Sequence, residues 1–573
     1  MKNSLWQNKR LYCIVMLGIL ALLTFPLIYG LDEFTTKAKA VDSEEDFFTL
    51  AVVYKNQLPA SECRIKWSYA EDENKWYLFL PYSNCTDTMR WSFHKKAEVY
   101  LDNSPIRSGD TVHAAAGEHN LHIKTKDSDT EYALTILYSS NLPTLFIQTD
   151  SESLDYIHAD KTNEEAGSCA LLDENASPNY WSKVKTIKCR GNASFNNTDK
   201  KSYKLQLYEK ADLLGMGASK NWVLTANAFD KTMLRNMITF DMARELKVPF
   251  TPDAKHINLY INDEYRGLYL LSENIEIEEN RIDIQNLEDI SEKLNSNKDM
   301  SDFPAFYESD NNLTAVKGVE VKNEPDDNTG GYLLEAELDF RWEEEPSGFI
   351  TSRMQPVVVK SPKYATHRQM DYISQFYQDF EDALFSEDGY SCRTGKYYTD
   401  YIDVDSFARR YLVEEIVKNR DTIYTSQFYY KPSDAESTKL YAGPVWDYDG
   451  AIAAEGIVAD TYDLSDPYDL YACDFGDCNI YRGLYMHQDF RQIAIDMFMA
   501  EGSLIIEKET DGKIQDMAEQ IMDAVIMDAY LWNIFPDAVT PEQKKSCYME
   551  EITKITEFLT ERNTYLKWIW ENQ

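Results

Sequence analysis

The run Val445-Trp446-Asp447-Tyr448-Asp449-Gly450 puts two carboxylates in one short loop ahead of a glycine. Oxygen ligands so spaced can hold a hard divalent cation. A third carboxylate, Asp421, closes the helical pattern Glu414-Glu415-Ile416-Val417-Lys418-Asn419-Arg420-Asp421. Carboxylate, apolar strand, then acidic loop is an order suited to a base and a metal ligand in phosphoryl transfer. The plain alternative is a pair of solvated turns in a very acidic chain.

That acidity is the dominant feature of the composition. Lys and Arg number 58 and Asp and Glu 97 in 573 residues, a net charge of −39. Phosphate backbones need basic patches, so no nucleic-acid partner is expected. A basic protein partner suits the charge better. Hydrophobic content of 43 % and aromatic content of 13 % are ample for packed cores. The length predicts about two to four domains. With only eight His and no CxxC pair or Cys/His cluster, a zinc-type centre is not expected.

The N-terminus reads as an address. Lys2, Lys9 and Arg10 precede an apolar run from Leu11 to about Tyr29, and Ala38-Lys39-Ala40 has the small-x-small form of a cleavage site. Residues 1–40 are expected to be a signal peptide or membrane anchor, with everything after them outside the cytoplasm and the membrane touched only through this segment. Apart from Cys13 the cysteines are Cys63, Cys85, Cys169, Cys189, Cys392, Cys473, Cys478 and Cys547. An even set fits disulfides in an exported chain. Proximity favours Cys63–Cys85, Cys169–Cys189 and Cys473–Cys478, which leaves Cys392 with Cys547, although sequence does not fix connectivity.

Further elements must position the carboxylates. Short alternating strands over 46–140, such as Lys75-Trp76-Tyr77-Leu78-Phe79-Leu80, predict a small β-sandwich without a catalytic constellation. From Leu142 strands dominate again, and a helix is predicted over Lys231–Lys247 with Asp230 as N-cap and Pro249 as stop. A hairpin turns at Asn262-Asp263. Residues from about 284 to 330 are polar and read as a long loop or insertion. Helices follow from about His367 to Leu384 and after the cap Asp403-Val404-Asp405-Ser406, and most of His487–Trp570 is helical.

Several blocks, in order, resemble the spore-coat CotH family. They are Arg190-Gly191-Asn192-Ala193-Ser194, Lys201-Ser202-Tyr203-Lys204, Leu213-Leu214-Gly215-Met216, Asn221-Trp222-Val223-Leu224 and Asp230 through Asn236. Tyr260 through Glu273 and Val445-Trp446-Asp447-Tyr448-Asp449 complete the set, so the resemblance covers most of 142–480. It implies an α+β chain whose bilobal, atypical protein-kinase-like domain spans 142–573. The small lobe would cover about 142–280, the acidic insertion about 284–330 and the large helical lobe about 331–573. It also implies an ATP-dependent Ser/Thr kinase using Mg2+, with Mn2+ as a substitute, that acts on an extracytoplasmic or coat protein.

On this resemblance Asp421 handles the substrate hydroxyl, Asp447 holds the metal, and Asp449 is a second or alternative ligand. Arg190 and Lys204 contact the phosphates, with Lys204 favoured over Lys200 and Lys201. Arg235-Asn236 looks like the family's Arg-Asn pair, in a structural or nucleotide role. Glu273 has a hinge-like place, and Glu245 sits late in its helix, so the partner of Lys204 stays open. The common kinase pattern has Asn five positions after the catalytic Asp, and here that place is Ser426, which leaves the second metal ligand open. Asp474-Phe475-Gly476 spells a kinase tripeptide, but a lone tripeptide between two cysteines is rejected in favour of Asp447. The competing reading is a kinase-like surface scaffold without catalysis; a carbohydrate-active enzyme with paired carboxylates ranks below both.

Overall fold

The computed structural model describes residues 39–40, 51–54, 63–70, 73, 75–84, 86–93, 97–309, 313–423, 425–454, 464–471 and 479–572. The N-terminal apolar run, Cys13, Cys85, Cys473, Cys478 and the Asp474-Phe475-Gly476 tripeptide lie outside them. Among the described residues no helix is long and apolar enough to cross a membrane.

The chain is a mixed α+β protein. Its first strands form a seven-stranded sheet and a three-stranded one. Ile65, Trp67, Leu78, Leu80, Trp91, Leu121 and Ile136 share one core beneath them. Alternation explains the element: in Met89–Ser92 every second residue is buried, the period of a half-buried strand.

A closed barrel follows. Its strands are β1 (Thr144–Thr149), β2 (Glu165–Leu172), β3 (Pro178–Arg190), β4 (Ser202–Asp212), β5 (Ala218–Thr225), β6 (Ala254–Ile261) and β7 (Glu264–Glu273). They run in the order β1-β2-β3-β4-β5-β7-β6, and a parallel β6–β1 pair closes the ring. Leu145, Ile147, Leu171, Leu205, Trp222, Leu259 and Leu271 share one core. Between β5 and β6 lies helix α1 (Arg235–Glu245). It starts later than the sequence predicts. Asp230 spends its side chain on a buried turn instead, accepting from the backbone N–H of Thr232 at 2.9 Å and of Arg235 at 2.9 Å.

Residues 284–330 are not the loop that their polarity predicts. They hold a helix, Leu287–Leu294, and strands β8 (Ala305–Glu308) and β9 (Ala315–Val319). These strands extend a second seven-stranded sheet with β10 (Tyr332–Ala336), β11 (Gly348–Ile350), β12 (Pro356–Ser361), β13 (Gln427–Lys431) and β14 (Tyr441–Ala442), ordered β8-β9-β11-β12-β10-β13-β14. β8 is a short edge strand with mostly exposed side chains, and the polarity of the stretch lies mainly in the segments that flank β8 and β9.

Four long helices pack on this sheet and on the barrel: α2 (His367–Leu384), α3 (Val404–Val417), α4 (Ile514–Trp532) and α5 (Pro541–Glu571). Their caps are legible in the sequence. Thr366 and Gln369 make a capping box for α2, and Asp403 accepts from the Ser406 N–H at 2.8 Å to start α3.

No disulfide joins the described cysteines. The expected Cys169–Cys189 link fails on register. Cys169 faces Ser182, whereas Cys189 lies beyond Ile187, which faces Glu165, and is itself opposite Tyr203. The expected Cys392–Cys547 link is also absent, since Cys392 is exposed and Cys547 packs against the large core.

Candidate active site

Asp421 opens a short 3-10 turn after α3, and Asp447 and Asp449 sit in the loop after β14. Two buried side chains clamp these segments together. Asn419 donates from Nδ2 to the Asp447 carbonyl at 3.1 Å, and its Oδ1 accepts from the Asp421 N–H at 3.2 Å. Glu414 accepts from the Thr422 hydroxyl at 2.6 Å and from the Tyr448 hydroxyl at 2.6 Å, and pairs with Arg410 beside it. Buried carboxylates must be so satisfied. Asn419 and Glu414 entered the sequence analysis only as members of the helical pattern that Asp421 closes.

The barrel side reaches the same loop. Asn236 in α1 accepts from the Tyr448 N–H at 2.8 Å, and the Arg235 Nε donates to the Ala451 carbonyl at 2.9 Å. Asp230 pairs with Arg235 and fixes its direction. Phe240 meets Tyr448 edge-on at 6.5 Å. At the end of β3, the Arg190 guanidinium lies 5.0 Å from the Trp446 ring, a cation–π contact next to Asp447.

The three aspartates repel one another. Burial first, then Asp447, pushes the Asp421 carboxyl up to about 7, against Arg341 and Arg420. Burial, then Asp447 and Asp421, holds Asp449 well above the carboxylate range. Asp447 has left-handed φ of 66°, as do its neighbours in the site Lys418 (49°) and Ser426 (59°). Such strain in non-glycine residues gathers at functional sites.

Arg190 lies beside them and Lys204 near Arg190; neither side chain makes a hydrogen bond or ion pair with the described residues, and that of Arg190 has only its ring contact. Burial lowers the proton affinity of both, while Asp447, Glu335 and Asp449 favour the charge on Arg190 and Glu276 that on Lys204. Glu276, just past β7, is thus the carboxylate that Lys204 faces, and it is itself held by Asn221 at 2.8 Å and Ser219 at 3.1 Å. Glu245 points elsewhere, to Lys508 at 3.0 Å. Glu273 pairs with Arg281, and burial pushes its carboxyl up to about 7.

The other lysines considered have structural partners. Lys200 is buried against Asp528 of α4 at 2.8 Å, and Lys201 donates to the Phe195 and Thr198 carbonyls. The turn after Arg190 is a short helix, Ala193–Asn197, not a tight hairpin.

Four residues that sequence reasoning missed lie close to Asp421 or Arg190. Glu335 on β10 pairs with Lys360 at 3.2 Å, and Glu337, just past β10, pairs with Arg341 at 3.1 Å and accepts from the Thr425 hydroxyl at 2.7 Å. Both acids are buried. The available signal was two glutamates two apart, in and just after an otherwise apolar, fully buried strand.

Among the described residues no group of three metal-ligating side chains is preassembled. Magnesium keeps several waters and takes one or two carboxylates plus phosphate oxygens. Asp447 and Asp449, crowded by a third acid and with no cation among the described residues ion-paired to either, fit that demand.

The raised carboxyls give a testable sign. A carboxyl held up in the folded chain binds more protons folded than unfolded at intermediate pH. Its penalty is absent below the unfolded pKa and complete above the folded one, about 1.4 kcal/mol for every tenfold rise in proton affinity on folding. Asp449→Asn is therefore expected to melt higher than the unsubstituted chain at pH 8, with the gain shrinking toward pH 5. An equal difference in melting temperature at both pH values would refute the repulsion.

A closed barrel and a second sheet with helices, whose segments meet around three aspartates, is the class of architecture that these residues define. The chain belongs to the CotH kinase family: the family model described as CotH kinase protein matches residues 187–566. The match starts in β3 and runs into α5, so it takes in every clamp described above. No curated protein matches the chain.

Proposed function

We propose that this protein is an exported, CotH-like protein kinase that transfers the γ-phosphate of ATP to Ser or Thr of an extracytoplasmic or coat protein. The barrel with α1 serves as its small lobe and the second sheet with α2–α5 as its large one. The observation that supports the reading is the clustering of Asp421, Asp447 and Asp449 beside Arg190, a cation without an ion pair among the described residues, with Lys204 near Arg190.

Each residue then has a task. The Asp421 carboxylate accepts the proton of the substrate hydroxyl as its oxygen bonds to the γ-phosphorus and the bond to ADP breaks. Asp447 and Asp449 hold the cation, and Lys204 and Arg190 bind phosphate oxygens. Bound magnesium offsets charge on the transferring group. A net charge of −39 favours a basic stretch in the protein substrate. The apolar N-terminal run is the export signal or the anchor.

Ligand that binds only the folded state raises the melting temperature. Magnesium with ATP is expected to stabilise the purified chain by about 3 kcal/mol at a hundredfold excess over Kd, and EDTA to abolish the gain. No shift would favour the kinase-like scaffold that Ser426 in place of Asn keeps open.

A further inference from the structure

We propose that Arg562, near the end of α5, is a positioning residue for Asp421 and Asp447, acting through Glu415, Tyr471 and Asn419. Its consequence for catalysis rests on the kinase reading above; its geometry does not. Arg562, Glu415, Tyr471 and Asn419 are each 0 % exposed.

The guanidinium spends its whole fork on this region. Nε and Nη2 donate to the Glu415 carbonyl at 3.0 and 2.7 Å, and Nη2 also to Glu415 Oε1 at 2.6 Å. Nη1 donates to the Pro467 carbonyl at 3.0 Å and to that of Asp469. Glu415 Oε1 in turn accepts from the Tyr471 N–H at 2.7 Å, and Oε2 from the Tyr411 hydroxyl at 2.8 Å. The Tyr471 hydroxyl donates to the Asn419 carbonyl. Asn419 ends the chain on the Asp421 N–H and the Asp447 carbonyl.

A buried ion pair that served stability alone could end at its own two charges. This one continues into Asn419, one of the two residues that bond both aspartate segments. One side chain thereby fixes the end of α3, the 467–471 segment and, through Tyr471, the peptide that spaces the two acids. Lysine cannot replace it, because a point charge with three donors on a flexible stem does not match five donors in a rigid fork. In a low-dielectric interior such a network transmits the loss of one member to the next.

Tyr471→Phe removes only the hydroxyl at the middle of the path, and Arg562→Lys keeps the charge but loses the fork. Amide hydrogen exchange on the full chain without nucleotide reads both. Each variant is expected to speed exchange in peptides covering 418–423 and 446–449 by about tenfold, the effect of one buried hydrogen bond, with barrel peptides unchanged. The double variant should be no faster than the faster single one, as expected for residues on one path. In phosphate transfer, kcat should fall by a similar factor while KM for ATP holds. Unchanged exchange at both segments, or a rise spread evenly over the molecule, would overturn the proposal. If Arg562→Lys does not fold, Tyr471→Phe decides. If the unsubstituted chain transfers no phosphate, the kinase reading fails and exchange still decides the positioning.

Discussion

An Asp447→Asn chain is expected to transfer phosphate at least about 10³-fold more slowly than the unsubstituted protein while remaining folded. The loss follows from the charge: an amide is a poor ligand for a hard cation, and the transition state develops charge on phosphate oxygens that the cation must offset. The fold survives because what holds this loop is backbone. Asn419 bonds the carbonyl of residue 447, and Asn236 and Arg235 bond the peptides that follow. Asparagine is the right substitute because φ is 66° here, a region that Asn tolerates better than Ala. Removing one acid also relieves Asp421 and Asp449, so the melting temperature should hold or rise at pH 8. Radiolabel incorporation at matched enzyme concentration is the check. A normal rate in the variant would remove Asp447 from the chemistry.

The largest stability effect lies four residues before Lys204. Lys200→Met is expected to cost about 3–5 kcal/mol, because it leaves the Asp528 carboxylate buried without its cation. The site is built for the pair. Lys200 Nζ bonds Asp528 Oδ2 at 2.8 Å and the Leu268 carbonyl at 2.7 Å, and Asp528 Oδ1 accepts from the Leu268 N–H at 2.9 Å. Gly267 makes the approach feasible: its φ is +116°, and a Cβ there would stand 2.0 Å from Asp528 Oδ1. Lys204→Met, by contrast, breaks no bond with the described residues and should leave stability nearly unchanged while abolishing the magnesium-ATP shift. Denaturant midpoints of the two variants separate the roles; equal midpoints would show that they were wrongly divided.

How much of this could be read in advance depended on whether the signal was local. The α2 and α3 caps are local chemistry, and so is the acidic loop with its upstream aspartate. The barrel was not legible, because its closure by a parallel β6–β1 pair is a long-range event that no periodicity records. The stretch 284–330 was misread because its polar residues sit in the connections, while the strands themselves are too short to show a period. Lys200, Lys201 and Lys204 are equivalent in composition, and only their partners 68 and 328 residues away assign Lys200 to the scaffold. Glu335 and Glu337 were overlooked although acids beside so many buried apolar residues are a warning visible in one dimension.

The counter-charge of Lys200 arrives 328 residues later in the chain. During synthesis the barrel is complete in sequence long before Lys200 has its partner. Until α4 emerges, Lys200 lacks the carboxylate against which it is buried, and Arg562 later still brings the cation that pairs with Glu415. Two buried ion pairs are therefore completed only by the C-terminal helices, so a chain cut before α4 is expected to lose both at once.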